Sequence, residues 1–364
     1  MRIRAVLPLL MACLLTAAQA CAQVGGSPLV IGYYAGDGRD VPMRRMDQLT
    51  HVIWSFGHLR NDSFIVADKQ VKVLRDLVGA KRANPKLKVL VSLGGWGGCE
   101  PCSETFSRVE GRATFARSVK ALLKRTWTDG IDLDWEYPAV QGFPGHPYAD
   151  ADRHNFTLLV RELRRELGEG YEITFAAGGT DECLVKGFEW DSVMAVADRV
   201  HVMSYDLVHG FSTRTGHHTP LHATPAQSAS AERAVHLLDS LGVPRSKVVI
   251  GGAFYARVFK EVDATGNGLH RPGVFSTYMR YSVVDTAIAP ARGWALYRDA
   301  KAGAPYAYRA STREFATFDD ATSLAEKARY VRREGLGGLM FWQLGEDKLS
   351  NGLLQAIHDA LQAP

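Results

Sequence analysis

The chain has 364 residues, of which 46% are hydrophobic, 23% charged and 10% aromatic, with 35 glycines. That composition excludes a disordered, collagenous or coiled-coil protein and is ample for a buried core. The 43 basic and 39 acidic residues give a net charge of +4, too little to suggest binding to nucleic acid or to an anionic membrane. A neutral polymer or small molecule is the more natural partner.

At the N-terminus, Arg2 and Arg4 precede an apolar run from Ala5 to Ala18, and small residues follow at Ala18-Gln19-Ala20 and Ala20-Cys21-Ala22. This order of charge, apolar stretch and small-residue site describes a cleaved secretory signal peptide over residues 1–22. The run of 14 residues is too short to span a bilayer, which takes about 20 helical residues. A cut after Ala20 would expose Cys21 for lipid attachment, although the Leu expected before such a cysteine is missing. The expected product is a soluble monomer, secreted or periplasmic. Cys99-Glu100-Pro101-Cys102 has the spacing of a redox pair or a zinc half-site, but no second CxxC completes four ligands. A local disulfide, or a cross-link from Cys183, suits an exported protein better.

Eight β-rich runs follow: Leu29–Tyr34, His51–Phe56, Lys88–Leu93, Ile131–Trp135, Glu172–Ala177, Arg199–Ser204, Lys247–Ala253 and Gly338–Trp342. Between them lie amphipathic stretches at Gln70–Ala83, Ala113–Arg125, Arg153–Leu167, Ala229–Leu241 and Ser323–Glu334. Val248–Ile250 is continuously apolar, as expected of a parallel strand covered on both faces. Alternating units of this kind predict an α/β fold, a (β/α)8 TIM barrel. An open doubly wound sheet is the alternative, but no GxGxxG follows the first strand. The interval from Phe254 to Gly337 is too long for a loop and one helix. Its turn glycines and paired tyrosines predict a small α+β insertion over 258–313, with the barrel at 27–257 and 314–364.

Chemistry concentrates in Asp129-Gly130-Ile131-Asp132-Leu133-Asp134-Trp135-Glu136-Tyr137-Pro138. A strand has period two, so Asp132, Asp134 and Glu136 share the inward face, while Ile131, Leu133 and Trp135 face the other way. Three buried carboxylates on one face would repel, and the expected response is shared protons and raised pKa values. Glu136 falls at the C-terminal end of its strand, where barrel enzymes place their reacting groups, and a carboxyl kept protonated there is a general acid. A solvated acidic loop or a calcium site are the alternatives for the bare cluster. The alternation of apolar neighbours opposes the loop. His217, His218 and His222 lie on an irregular stretch with no HExxH, so no metal is expected from them.

The four carboxylates Asp129, Asp132, Asp134 and Glu136 resemble the DxxDxDxE signature of glycoside hydrolase family 18, the chitinases, and the match extends through the flanking DGIDLDWEYP. Ser92-Leu93-Gly94-Gly95-Trp96 is similar to the family's SxGG, and Met203-Ser204-Tyr205-Asp206 to its MxYD. Tyr255 and Arg257 resemble its YGR, with Ala256 in place of Gly. Gly337–Trp342 resembles the segment that carries the tryptophan beneath the scissile sugar. His201 stands where members often have Asn.

The resemblance implies a retaining hydrolase of β-1,4-linked N-acetylglucosamine polymers that uses the substrate's own acetamide as nucleophile. Glu136 would then be acid and base, and Asp134 would orient the acetamide. Asp132 would share a proton with Asp134, and Tyr205 would hold the acetamide oxygen. Trp342 would form the floor of the site. Asp206, Met203, Tyr33, Phe56, Trp96, Tyr255, Arg257 and Tyr137 would complete the substrate cleft. Ser92, Gly94, Gly95 and Asp129 are read as structural support. The implied partners are chitin or its oligosaccharides, with no cofactor. An endo-β-N-acetylglucosaminidase acting on N-glycans and a chitin-binding lectin are the competing functions. Lectins on this barrel typically lose the acid, and Glu136 is present.

Overall fold

The computed structural model describes residues 27–363, so the expected signal peptide and Cys21 lie outside the described residues. The chain enters through β1 (Leu29–Tyr34), β2 (His51–Arg60), β3 (Ser63–Ile65), β4 (Lys88–Gly94), β5 (Gly130–Asp134), β6 (Glu172–Gly178), β7 (Arg199–Met203) and β8 (Val248–Ala253). It leaves for a second sheet, β9 (Tyr255–Lys260), β10 (Val274–Arg280), β11 (Ala295–Asp299), β12 (Ala304–Arg309) and β13 (Glu314–Phe318), and returns as β14 (Gly338–Trp342). Strands β1, β2, β4 to β8 and β14 pair in parallel, and β1 bonds both β2 and β14, which closes the barrel. The short β3 is a hairpin on the far end of β2, turned through Asn61 and Asp62 at positive φ.

Helices α1 (Asp68–Gly79), α2 (Cys102–Ser107), α3 (Val109–Thr126), α4 (Asp152–Leu167), α5 (Asp181–Lys186), α6 (Trp190–Met194) and α7 (Ala231–Ser240) lie in the crossovers. The second sheet carries α8 (Tyr281–Ala287), and α9 (Ala321–Glu334) and α10 (Leu353–Gln362) flank the last strand. Helix α9 starts at a capping box of Asp320 and Ser323 and stops at Gly335 in the left-handed region. Among the described residues, no helix is long and apolar enough to cross a membrane.

Strand parity divides the core in two. Ile131, Leu133 and Trp135 pack outward against the helices in the main cluster. Ile31, Tyr33, Ile53, Leu90, Ala176, Met203, Val249 and Met340 fill the barrel interior together with an unusual set of polar side chains. The second sheet runs β10-β9-β13-β12-β11, all antiparallel, over a core of Phe259, Val262, Tyr306, Tyr308 and Phe315. This sheet begins at Tyr255 and ends at Phe318, so a boundary at 258 cuts its first strand and one at 313 leaves out its last. Cys99 and Cys102 form a disulfide, and Cys183 is a buried free thiol.

Candidate active site

The barrel interior carries polar side chains in three tiers. In the lowest, Glu172 accepts from Arg199 and lies 3.1 Å from His51 Nε2. In the middle tier Asp132 is fully buried and surrounded by donors. Tyr33 Oη donates to its Oδ2 at 3.0 Å, Ser92 Oγ to the same oxygen at 2.8 Å, and Thr174 Oγ1 to Oδ1 at 2.7 Å. His201 Nδ1 lies 3.3 Å from Oδ1. Burial alone would raise Asp132, yet the bonds from His201, Thr174 and Ser92 outweigh it and hold the carboxyl below its ordinary value. The expectation that the whole carboxylate row shifts upward is therefore corrected for Asp132. Ser92 also does more than permit tight backbone.

The upper tier behaves as expected. Asp134 is pushed well up, by burial first and then by the charges of Glu136 and Asp132. Its Oδ1 is buried without a hydrogen-bond partner among the described residues. Glu136, two residues beyond the end of β5, is pushed to about 7: burial raises it, a hydrogen bond from Tyr137 opposes, and the charge of Asp206 adds. Tyr205, just past β7, is raised by burial and by the nearby Asp134 and Glu136, so it stays a protonated donor. Gly94 has φ of +105°, and a Cβ there would fall 2.2 Å from the Asp134 carbonyl oxygen. Only glycine allows β4 to come that close to the row. Asp129 lies below, accepting from Lys81 and from the Val89 backbone.

Trp342 ends β14 and stacks on Phe56 at 5.5 Å and 14°, with Tyr33 at 6.0 Å. Asp206 is gripped by Arg257 of β9 and faces His218 Nδ1 at 3.5 Å. Burial would raise Asp206, but His218 and Arg257 outweigh it and hold it well below the carboxylate range. Tyr255 lies between Tyr205, edge-on at 6.2 Å, and Tyr278, stacked at 4.9 Å. Met203 is the last residue of β7, on its inward face. His217, His218 and His222 diverge to three different carboxylates, Asp299, Asp206 and Glu232.

Trp96 is 49% exposed and belongs to an aromatic group with Phe143 at 5.5 Å and Phe211 at 6.4 Å. Phe143 and Phe211 are new here: each is a single aromatic on a loop, with no periodicity to mark it. On strand β10, Phe275 packs beside Gly210 and the Tyr278 hydroxyl donates to Glu346. Trp96 and Phe211 thus present exposed rings, and the Tyr278–Glu346 bond joins the second sheet to the segment after Trp342. Chemically, the site offers a carboxyl that is protonated near neutral pH, an unpaired buried acceptor, a phenol donor and aromatic faces. That is the equipment of a glycosidase.

A barrel with this interior belongs to the carbohydrate-cleaving enzymes, and the comparisons with known proteins agree. The model of Glycosyl hydrolases family 18 matches residues 29–347, so the chain belongs to that family. The chain is 32% identical to Chitinase A1 of Niallia circulans over 297 residues, 74% of this chain and 42% of that protein. It is 31% identical to Chitotriosidase-1 of Mus musculus over 318 residues, covering 82% of this chain and 67% of the other. A family 18 N-acetylglucosaminidase from Paenibacillus barengoltzii superposes with a TM-score of 0.83 at 33% identity, covering 92% of this chain and 99% of that one. The chain therefore spans less than half of Chitinase A1 but nearly all of the superposed enzyme.

Proposed function

We propose that the protein is an exported chitinase that hydrolyses β-1,4-linked N-acetylglucosamine chains by a retaining, substrate-assisted route. The observation that carries this is the contrast within the acidic cluster. Among the described residues no cation pairs with Glu136, which burial keeps protonated up to about pH 7, whereas Asp206 is committed to Arg257. Asp134 is raised too, so no ionised, unpaired carboxylate stands ready as nucleophile. The substrate's acetamide oxygen fills that role. It attacks the anomeric carbon to give an oxazolinium ion, and Glu136 donates its proton to the departing glycosidic oxygen. Glu136, now a carboxylate, removes a proton from the water that opens the ring.

Asp134 supports this route because its unpaired Oδ1 is the acceptor an acetamide N–H needs. Tyr205 donates to the acetamide oxygen and so fixes its approach. Trp342, backed by Phe56, is the face on which the sugar ring stacks. The bond between Tyr278 of the second sheet and Glu346, four residues after Trp342, favours attack near a chain end.

The test is hydrolysis of a chitin hexasaccharide and of a high-mannose N-glycan, with products resolved by size. Cleavage of the hexasaccharide alone, releasing one- or two-sugar fragments first, is the expected result. Cleavage of the glycan alone would reassign the enzyme to the chitobiose core of N-glycans. Binding of the hexasaccharide without cleavage would make the protein a lectin.

A further inference from the structure

We infer that His201 is a positioning residue that holds Asp132 in its carboxylate form, so that the proton of the acidic row resides on Asp134 and Glu136. The inference rests on the reading of that row as catalytic. His201 lies on the inward face of β7, in register with Ala176 of β6 and Val249 of β8, and is fully buried. Its Nδ1 is 2.9 Å from Tyr33 Oη and 3.3 Å from Asp132 Oδ1, and the two rings meet edge to face at 6.0 Å.

The bonding fixes which ring nitrogen carries hydrogen. Tyr33 has one hydroxyl proton, and it points to Asp132 Oδ2. If Nδ1 presented a lone pair instead, it would face oxygen lone pairs on both Tyr33 and Asp132. Nδ1 therefore carries hydrogen and donates to that pair. Among the described residues His201 Nε2 has no partner, so in this tautomer it presents a lone pair to the interior. Asp132 then receives four donors from β1, β4, β6 and β7, an arrangement made for an anion.

The other titratable groups facing His201 lie on the same interior. Tyr33 comes from β1, His51 from β2, Asp132 and Asp134 from β5, Glu172 from β6 and Arg199 from its own strand. The inward residues of β4, β8 and β14 at this depth, Ser92, Val249 and Met340, bring no charge. Glu172 and Arg199 neutralise one another in the tier below, so His201 is the donor of β7 that meets Asp132 directly.

The experiment reads Asp132 itself, by carbon-13 NMR titration of the side-chain carboxyls, with Asp132→Asn identifying the signal. Wild type is compared with His201→Asn, which keeps an amide donor, and with His201→Leu, which has none. His201→Met, also without a donor and adaptable in shape, serves if the leucine variant does not fold. The midpoint of Asp132 should rise by at least about one pH unit in the variant without a donor and by less than about half a unit in His201→Asn. In the same variants the acid limb of kcat on a chitin tetrasaccharide should move up in pH by a similar step, with KM little changed. A midpoint within about 0.2 units of wild type in the Leu or Met variant overturns the inference. If the midpoint moves but wild type cleaves no chitin oligosaccharide, the positioning stands and the catalytic reading of the row falls.

Discussion

The two ends of one barrel interior hold buried carboxylates in opposite states. At the N-terminal end, burial would raise Glu172, but His51 and Arg199 outweigh it and bring the carboxyl down to about 2. At the C-terminal end no cation among the described residues reaches Glu136, and burial takes it up to about 7. Asp206, at the upper end but paired with Arg257, sides with Glu172. Depth in the barrel does not decide the outcome; the partner does. A paired carboxylate braces strands, whereas an unpaired one is kept at a cost and is available for proton transfer.

The comparison breaks most visibly in activity. Glu136→Gln should lower kcat on a chitin tetrasaccharide by at least about 100-fold, with KM changed little, because the amide has the shape of the acid but no proton to give. Glu172→Gln, the same substitution at the other end, should leave kcat within about threefold. Equal losses from both would mean that the two ends are not functionally distinct. The next largest effect is on stability. Arg199→Leu strands Glu172 among strands with only His51 beside it, and should cost about 3 kcal/mol in urea denaturation at pH 7. A loss under about 1 kcal/mol would show that the lower pair is solvated and braces little.

What the sequence discloses of this arrangement depends on how local each feature is. The eight barrel strands are legible because parallel strands covered on both faces read as short apolar runs, as Val248–Ile250 does. Asp134 and Glu136 are legible from the two-residue period of one strand. The state of Asp132 is not, since its donors Tyr33, Ser92, Thr174 and His201 come from four other strands and meet only through sheet register. The second sheet's borders are hidden for a related reason. Phe254 alone separates β8 from β9, and no turn residue interrupts the apolar run where the chain changes sheets. Likewise β2 runs on to Arg60 because its hairpin turns at Asn61-Asp62, beyond the apolar stretch that marks the strand.

The smallest effect sharpens the comparison furthest, because the two glutamates should tilt stability against pH in opposite directions. Between about pH 4.5 and 7 the unfolded chain has lost the Glu136 proton while the folded protein keeps it, so stability falls as pH rises. Glu136→Gln removes that cost: it should match wild type near pH 4 and exceed it by about 1–3 kcal/mol above pH 7. For Glu172 the folded protein is ionised down to about 2, so its contribution is complete above the unfolded value and is lost as pH falls from about 4.5 toward 2. Glu172→Gln should therefore be less stable than wild type by a nearly constant margin above pH 5, and that margin should shrink in acid. Urea denaturation of the three proteins at several pH values between 3 and 8 measures both differences. A Glu136→Gln difference that does not grow with pH would mean that burial does not hold the upper carboxyl protonated, and the contrast between the two ends would then lie in geometry alone.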